Sequence, residues 1–144
     1  MVEPELNKID IERSLEGKGD FVKMDVLQRF LTKAKSLDMR KFILLKLADI
    51  HESKGMLNEA ARMCDAVSHI SIKDFEKTSL HMREAGLYIK SGYFEHADIA
   101  FKKAVTFSNA REREEIKKSL KSFYFAHGES LEKIQRRANA IKLY

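Results

Sequence analysis

Glycines at positions 19, 55, 92 and 128 divide the chain into intervals of 36, 37 and 36 residues. A recurrence of this length is the mark of stacked supersecondary units, each too small to bury its own apolar face and dependent on its neighbours. Around each glycine the chain reads as helix, break, helix. After Gly92, for example, Phe94, Ala97, Phe101 and Ala104 recur at helical spacing, Ala100 and Phe107 widen the stripe, and Glu95, Lys102 and Lys103 take the other side. That is the pattern of a helix with one buried face. Glycine reaches the left-handed conformation that ends a helix without a Cβ penalty, so each break is expected to be the reversal point of a helical hairpin.

The segments between repeats, "SHISIKD" and "SNARE", offer Ser and Asn as helix caps, and Asn109 with Glu112 has capping-box spacing. The only proline is Pro4, and no stretch alternates with period two. The expectation is all-α: about eight helices as four antiparallel hairpins in a single domain over 1–144, with units at roughly 4–37, 38–73, 74–109 and 110–144. With 144 residues, one compact core or one short array would suit the size prior.

The middle two units resemble tetratricopeptide repeats. Small and large residues alternate as that family requires: Ala48 and Ala85 seven before the glycine, His51 and Tyr88 four before, Ala60 and Ala97 five after, Cys64 and Phe101 nine after, Val67 and Ala104 twelve after. Glu84 stands where the family usually has leucine. The outer units match loosely, as terminal repeats facing water on one side do. The resemblance implies a right-handed α-solenoid whose first helices line a curved inner surface. Carried over, the groove residues are Phe42, Leu45, Asp49 and Glu52, then Ser79, Met82, Gly86 and Ile89, with Lys90 on the edge, Leu6, Ile9 and Arg13 at one end and Lys118 and Phe125 at the other. An apolar strip with mixed-charge edges suits an amphipathic helix or an extended peptide. The family's clamp for a terminal carboxylate is missing, since Leu45, Lys46, Asp49, Met82, Arg83 and Gly86 occupy its positions.

A plainer reading accompanies the groove. Helix 41–51 is apolar nearly all round, so Phe42 and Leu45 equally suit a helix covered by its neighbours. A glycine inside a helix costs about 1 kcal/mol relative to alanine, so Gly86 implies that something approaches the backbone there, the next hairpin more readily than a ligand.

Enzyme chemistry finds little footing, and the expectation is a non-catalytic scaffold or adaptor without cofactor. The five histidines form no H-E-x-x-H, and a single cysteine excludes a multi-thiolate zinc site. His51 and Cys64 occupy facing interior positions in the hairpin, the minimal geometry for a Cys–His nucleophile, yet they replace interlocking residues and read as core. No apolar run approaches the length of a membrane span, and the first residues lack the basic flank and apolar stretch of a signal peptide. With one cysteine, a reducing, cytoplasmic compartment is expected.

The net charge of +5 is nearly all at one end, where residues 110–144 carry nine basic and five acidic side chains. Lys117, Lys118 and Lys121 lie on one helix and Lys133, Arg136, Arg137 and Lys142 on the next, with Phe123, Tyr124 and Phe125 between. Such a patch would bind nucleic acid with salt-dependent affinity, an anionic membrane surface, or an acidic partner protein. The alternative is a soluble cap with the aromatics as core. Self-association is a third class of function alongside partner binding and polyanion binding.

Overall fold

A computed structural model of the protein describes residues 7–143. Leu6 and the start of the first unit lie outside the described residues. Those described form eight α-helices and no strand: α1 (Lys8–Leu15), α2 (Asp20–Lys33), α3 (Leu37–Ser53), α4 (Leu57–Ile70), α5 (Asp74–Lys90), α6 (Phe94–Phe107), α7 (Ala110–Ala126) and α8 (Leu131–Ala140). Among them, no helix is long and apolar enough to cross a membrane.

Each odd-numbered helix reverses into the next through a positive-φ glycine. Gly55, Gly92 and Gly128 do so at φ 76°, 81° and 84°. The remaining reversal corrects the expectation: Gly17, at φ 71°, makes the first turn, while Gly19 is the extended N-cap of α2 at φ −73°. Three of these turns close in the same way. The amide after the glycine donates back five residues, Met56 to His51, Tyr93 to Tyr88 and Glu129 to Tyr124, at 2.8–2.9 Å. This satisfies one of the carbonyls a helix end leaves open.

Side chains start the helices where the loop allows it. Asn109 accepts from the Glu112 amide at 2.9 Å while Glu112 accepts from the Asn109 amide, completing the expected capping box on α7. Ser36 and Ser130 cap α3 and α8. In "SHISIKD" no side chain caps α5, whose N-cap is Lys73; the buried Ser71 hydroxyl donates instead to the Val67 carbonyl at the end of α4.

Two apolar clusters form the interior. Ile11, Leu15, Leu27, Ile43 and Leu47 join α1, α2 and α3. The larger cluster runs from Ala48 through α4–α8 to Ile141 and Leu143, with Met63 packed against both. Its middle is rich in fully buried alanines, Ala48, Ala60, Ala61, Ala85, Ala97, Ala100 and Ala104, interlocked with Phe101. Small side chains there let α3, α4, α5 and α6 pack closely.

The close approach expected at Gly86 comes from the next hairpin. The Phe123 ring of α7 lies so near that a Cβ on Gly86 would sit 3.1 Å from its Cζ. Phe123 packs on the core and Tyr124 is fully buried, whereas Phe125 faces outward at 49% exposure, so the aromatic triplet is core at two positions of three.

After α8 the chain repeats the glycine turn without a glycine: Lys142 takes φ 62°, and the Leu143 amide donates to the Ala138 carbonyl at 3.0 Å. A side chain in that conformation costs about 1–2 kcal/mol, partly offset on replacement by the greater unfolded-chain freedom of glycine. Lys142→Gly is expected to raise the free energy of unfolding by about 0.5 kcal/mol, and Gly92→Ala to lower it by about 1 kcal/mol, both read from urea denaturation.

Candidate functional site

The outer stripe of α3 carries Phe42, Leu45, Asp49 and Glu52, and that of α5 carries Phe75, Ser79, Met82 and Gly86, each at helical spacing. Ion pairs tie these helices together. Lys41 Nζ lies 2.8 Å from Glu76 Oε2. A full turn or more further on, Arg83 Nη2 donates to Asp49 Oδ1 at 2.8 Å and to Glu52 Oε2 at 3.2 Å. The ladder continues to α1 through Glu12–Lys46 at 3.2 Å and Lys8–Asp38 at 3.1 Å. Hydrogen bonding to Lys41 holds the Glu76 carboxyl below the usual carboxylate range. Exposed pairs of this kind are each worth about 0–1 kcal/mol, so their main effect is to fix the register of neighbouring hairpins.

These contacts sort the expected groove residues. Leu45 and Met82 are half-buried between the two α3–α5 bridges. Phe42 is half-buried with the Lys8 and Lys46 ammonium groups over its ring, at 5.5 and 5.1 Å. Asp49 and Glu52 are engaged by Arg83, and Lys90 is exposed. Gly86 and Ile89 are buried, and the Phe123 ring of α7 lies against Gly86. The accessible stripe of α5 is therefore displaced toward its N-terminus, to Phe75, Ser79 and Met82. Phe75, 57% exposed, was not singled out by the repeat register, although it stands two turns before Met82. Ile9 is exposed on α1.

The C-terminal basic residues are largely engaged within the chain. Lys117 pairs with Glu114 at 3.1 Å, Lys118 with Glu115 at 3.7 Å, Lys133 with Glu129 at 3.9 Å and Arg136 with Glu132 at 2.6 Å. Arg137 has an internal task. Its Nη1 donates to Asp98 Oδ2 at 2.8 Å while the Tyr124 hydroxyl donates to Asp98 Oδ1 at 2.8 Å, joining α6, α7 and α8. The guanidinium also sits over the Phe94 and Tyr124 rings, 5.0 and 4.9 Å from their centroids. Burial, with the bond to Asp98, pushes the Tyr124 hydroxyl well above its usual pKa. Lys121 is exposed on α7.

His51 and Cys64 are both buried. Burial pushes the Cys64 thiol from its ordinary 9.0 up to about 11, with the nearby Arg83 charge opposing this. A nucleophilic cysteine requires the opposite shift.

A second polar constellation stands on α4, α5 and α6. His81 Nδ1 donates to Glu84 Oε1 at 2.9 Å, and both side chains are almost fully buried. Asp65 Oδ1 of α4 lies 3.9 Å from the same Nδ1 and 3.0 Å from Lys103 Nζ of α6. The His81 ring stacks near-parallel to Phe107 at 6.0 Å, beside a recess of about 280 Å³ that Ser68, His69, Lys77 and Lys103 also line. The one signal for it in the sequence is Glu84 at a leucine position; Asp65 and Lys103 are too remote along the chain to be connected with it by spacing.

Searches against protein-family models, curated proteins and solved structures found no match to the chain.

Two outcomes follow from these contacts. Asp98→Ala leaves Arg137 and the Tyr124 hydroxyl without their common acceptor; it is expected to cost about 2 kcal/mol and to remove amide-exchange protection from 131–143 before the rest of the chain. The Cys64 thiol should resist aromatic disulfide reagents at pH 8 in the native protein and react fully in denaturant. Its folded pKa being raised, the neutral thiol's contribution to stability is complete below about pH 9 and is lost as the pH rises toward about 11.

Proposed function

We propose that the chain is a non-catalytic protein-interaction module: a tetratricopeptide-like, right-handed stack of hairpins that holds an amphipathic partner segment across α3 and α5. The observation that carries this reading is the frame around Leu45 and Met82. Two interhelical ion-pair bridges, Lys41–Glu76 and Arg83 with Asp49 and Glu52, flank half-exposed apolar side chains on facing stripes. A partner laid there gains affinity from burying Leu45, Phe75, Met82 and the open edge of Phe42. It gains register from charges at both ends of the strip. The bridges also fix the spacing of the two stripes before any partner arrives, which lowers the ordering cost of binding.

The test is an affinity pull-down with wild type beside a Leu45→Glu, Met82→Glu double variant shown by circular dichroism to keep its helices. Loss of the captured partners in the double variant is the expected result; identical captures by both proteins exclude the strip as the binding surface. Titration with generic RNA and DNA addresses the C-terminal end in parallel. Steeply salt-dependent binding lost on Lys118→Glu and Lys121→Glu would place the function there instead.

A further inference from the structure

The cluster of Asp65, His81 and Glu84 has the composition and spacing of a divalent-metal site. One donor atom from each, the His81 Nδ1 and a carboxylate oxygen from Asp65 and Glu84, lie within 4.8 Å of one another. The separations from Nδ1 are 2.9 Å to Glu84 and 3.9 Å to Asp65. Donors at the usual 2.0–2.2 Å from a tetrahedral zinc ion stand about 3.4 Å apart, a value that the 2.9 and 3.9 Å separations bracket.

Charge points the same way. Two carboxylates share this corner, one of them almost fully buried; the Lys103 ammonium reaches Asp65 at 3.0 Å, and Lys77 lines the same recess with its ammonium 4.8 Å from the Phe107 ring centroid. Glu84 is met by the His81 ring, a place that a cation can take. Burying a carboxylate uncompensated is costly, which is why such groups are paired or coordinate metals. The surroundings also fit. His81 lines the recess of about 280 Å³ beside Ser68, which provides an entry path and room for a water ligand. Lys103, 38% exposed, can swing into solvent and release Asp65. His69 stands aside from the ligand set, its Nδ1 committed to the Asp65 main-chain oxygen at 2.7 Å.

We propose that Asp65, His81 and Glu84 bind a divalent transition-metal ion of the zinc type. The ion replaces the proton between His81 and Glu84 and displaces the Lys103 ammonium from Asp65. Two helices, α4 by Asp65 and α5 by His81 and Glu84, are then linked by one centre, and Lys103 of α6 gives up its contact with Asp65. One imidazole with two carboxylates suits Zn²⁺ or Co²⁺ rather than Ca²⁺ or Mg²⁺, which demand more oxygen ligands.

The experiment is titration of the full chain with Zn²⁺, by calorimetry and by competition with a chromophoric chelator, together with thermal unfolding in Zn²⁺ and in Mg²⁺. One equivalent of Zn²⁺ is expected to bind and to raise the melting temperature, with no response to Mg²⁺. Affinity should fall more than about tenfold in His81→Gln and Asp65→Asn. It should rise in Lys103→Ala, which removes the competing cation and leaves the ligands intact. Asp65 is partly exposed, so Asp65→Asn tests the site even where changes at His81 disturb the fold. The proposal is overturned if neither wild type nor Lys103→Ala binds Zn²⁺. It is equally overturned if binding survives Asp65→Asn and His81→Gln and disappears in His96→Gln or His127→Gln, the mark of a surface chelate.

Discussion

The hydrogen bond that closes three of the four odd-numbered helices over a left-handed glycine turn is the constraint on which the architecture depends. Met56 to His51, Tyr93 to Tyr88 and Glu129 to Tyr124 are the same bond in successive hairpins. Each ties the first residue beyond the glycine to the last full turn of the helix, so the second helix leaves in a fixed direction after few linking residues. The helices that follow two of these turns, α4 and α6, begin without a side-chain cap, at Met56 and Tyr93. Their direction is set by the preceding turn and by alanine-rich packing. Side chains 31 to 39 residues apart then meet across the helices.

Those meetings determine what the surface can offer. Ion pairs run from α1 through α3 to α5, and a separate set links α6, α7 and α8 through Asp98. A charge already satisfied by a neighbouring hairpin must give up that contact before it can serve a partner. The apolar side chains between such pairs carry no comparable cost. This is why Leu45 and Met82 are better binding candidates than the more numerous charged residues around them. It is also why a count of lysines and arginines overstates the polyanion-binding capacity of the C-terminal end, where Arg137 is built into the joint between α6 and α8.

Much of this was legible in the sequence, and the boundary of legibility is physical. Glycine spacing and helical periodicity gave helical hairpins, because both are local properties of the chain. The choice between Gly17 and Gly19 was not local enough: both can reverse a chain, and only the end of α1 after Leu15 decides which takes the positive φ. Gly86 announced a close approach without revealing that Phe123 makes it. The repeat register put Ser79, Met82, Gly86 and Ile89 on one stripe of α5; that Phe123 of α7 lies against Gly86 depends on packing between units, which periodicity within a unit does not encode. Phe75 lies outside the repeat register, at the end of α5 opposite the glycine, where the register assigns no groove position.

Glu84 shows how a departure from a pattern becomes informative once its partners are known. In isolation, a carboxylate at a leucine position of a repeat is a liability, since a buried charge is tolerated only with compensation. His81, one turn earlier on the same face, supplies the first part of it. Asp65 then adds a second carboxylate, and Lys103 answers that one from the next hairpin. An apolar residue at position 84 would pack this corner at lower electrostatic cost, so stability alone does not account for the arrangement. A polar network spanning α4, α5 and α6 makes the relative placement of two hairpins depend on the charge held at their junction. Met82 is on that same helix α5, next to His81 in the chain, so the corner and the proposed partner-binding strip share one helix.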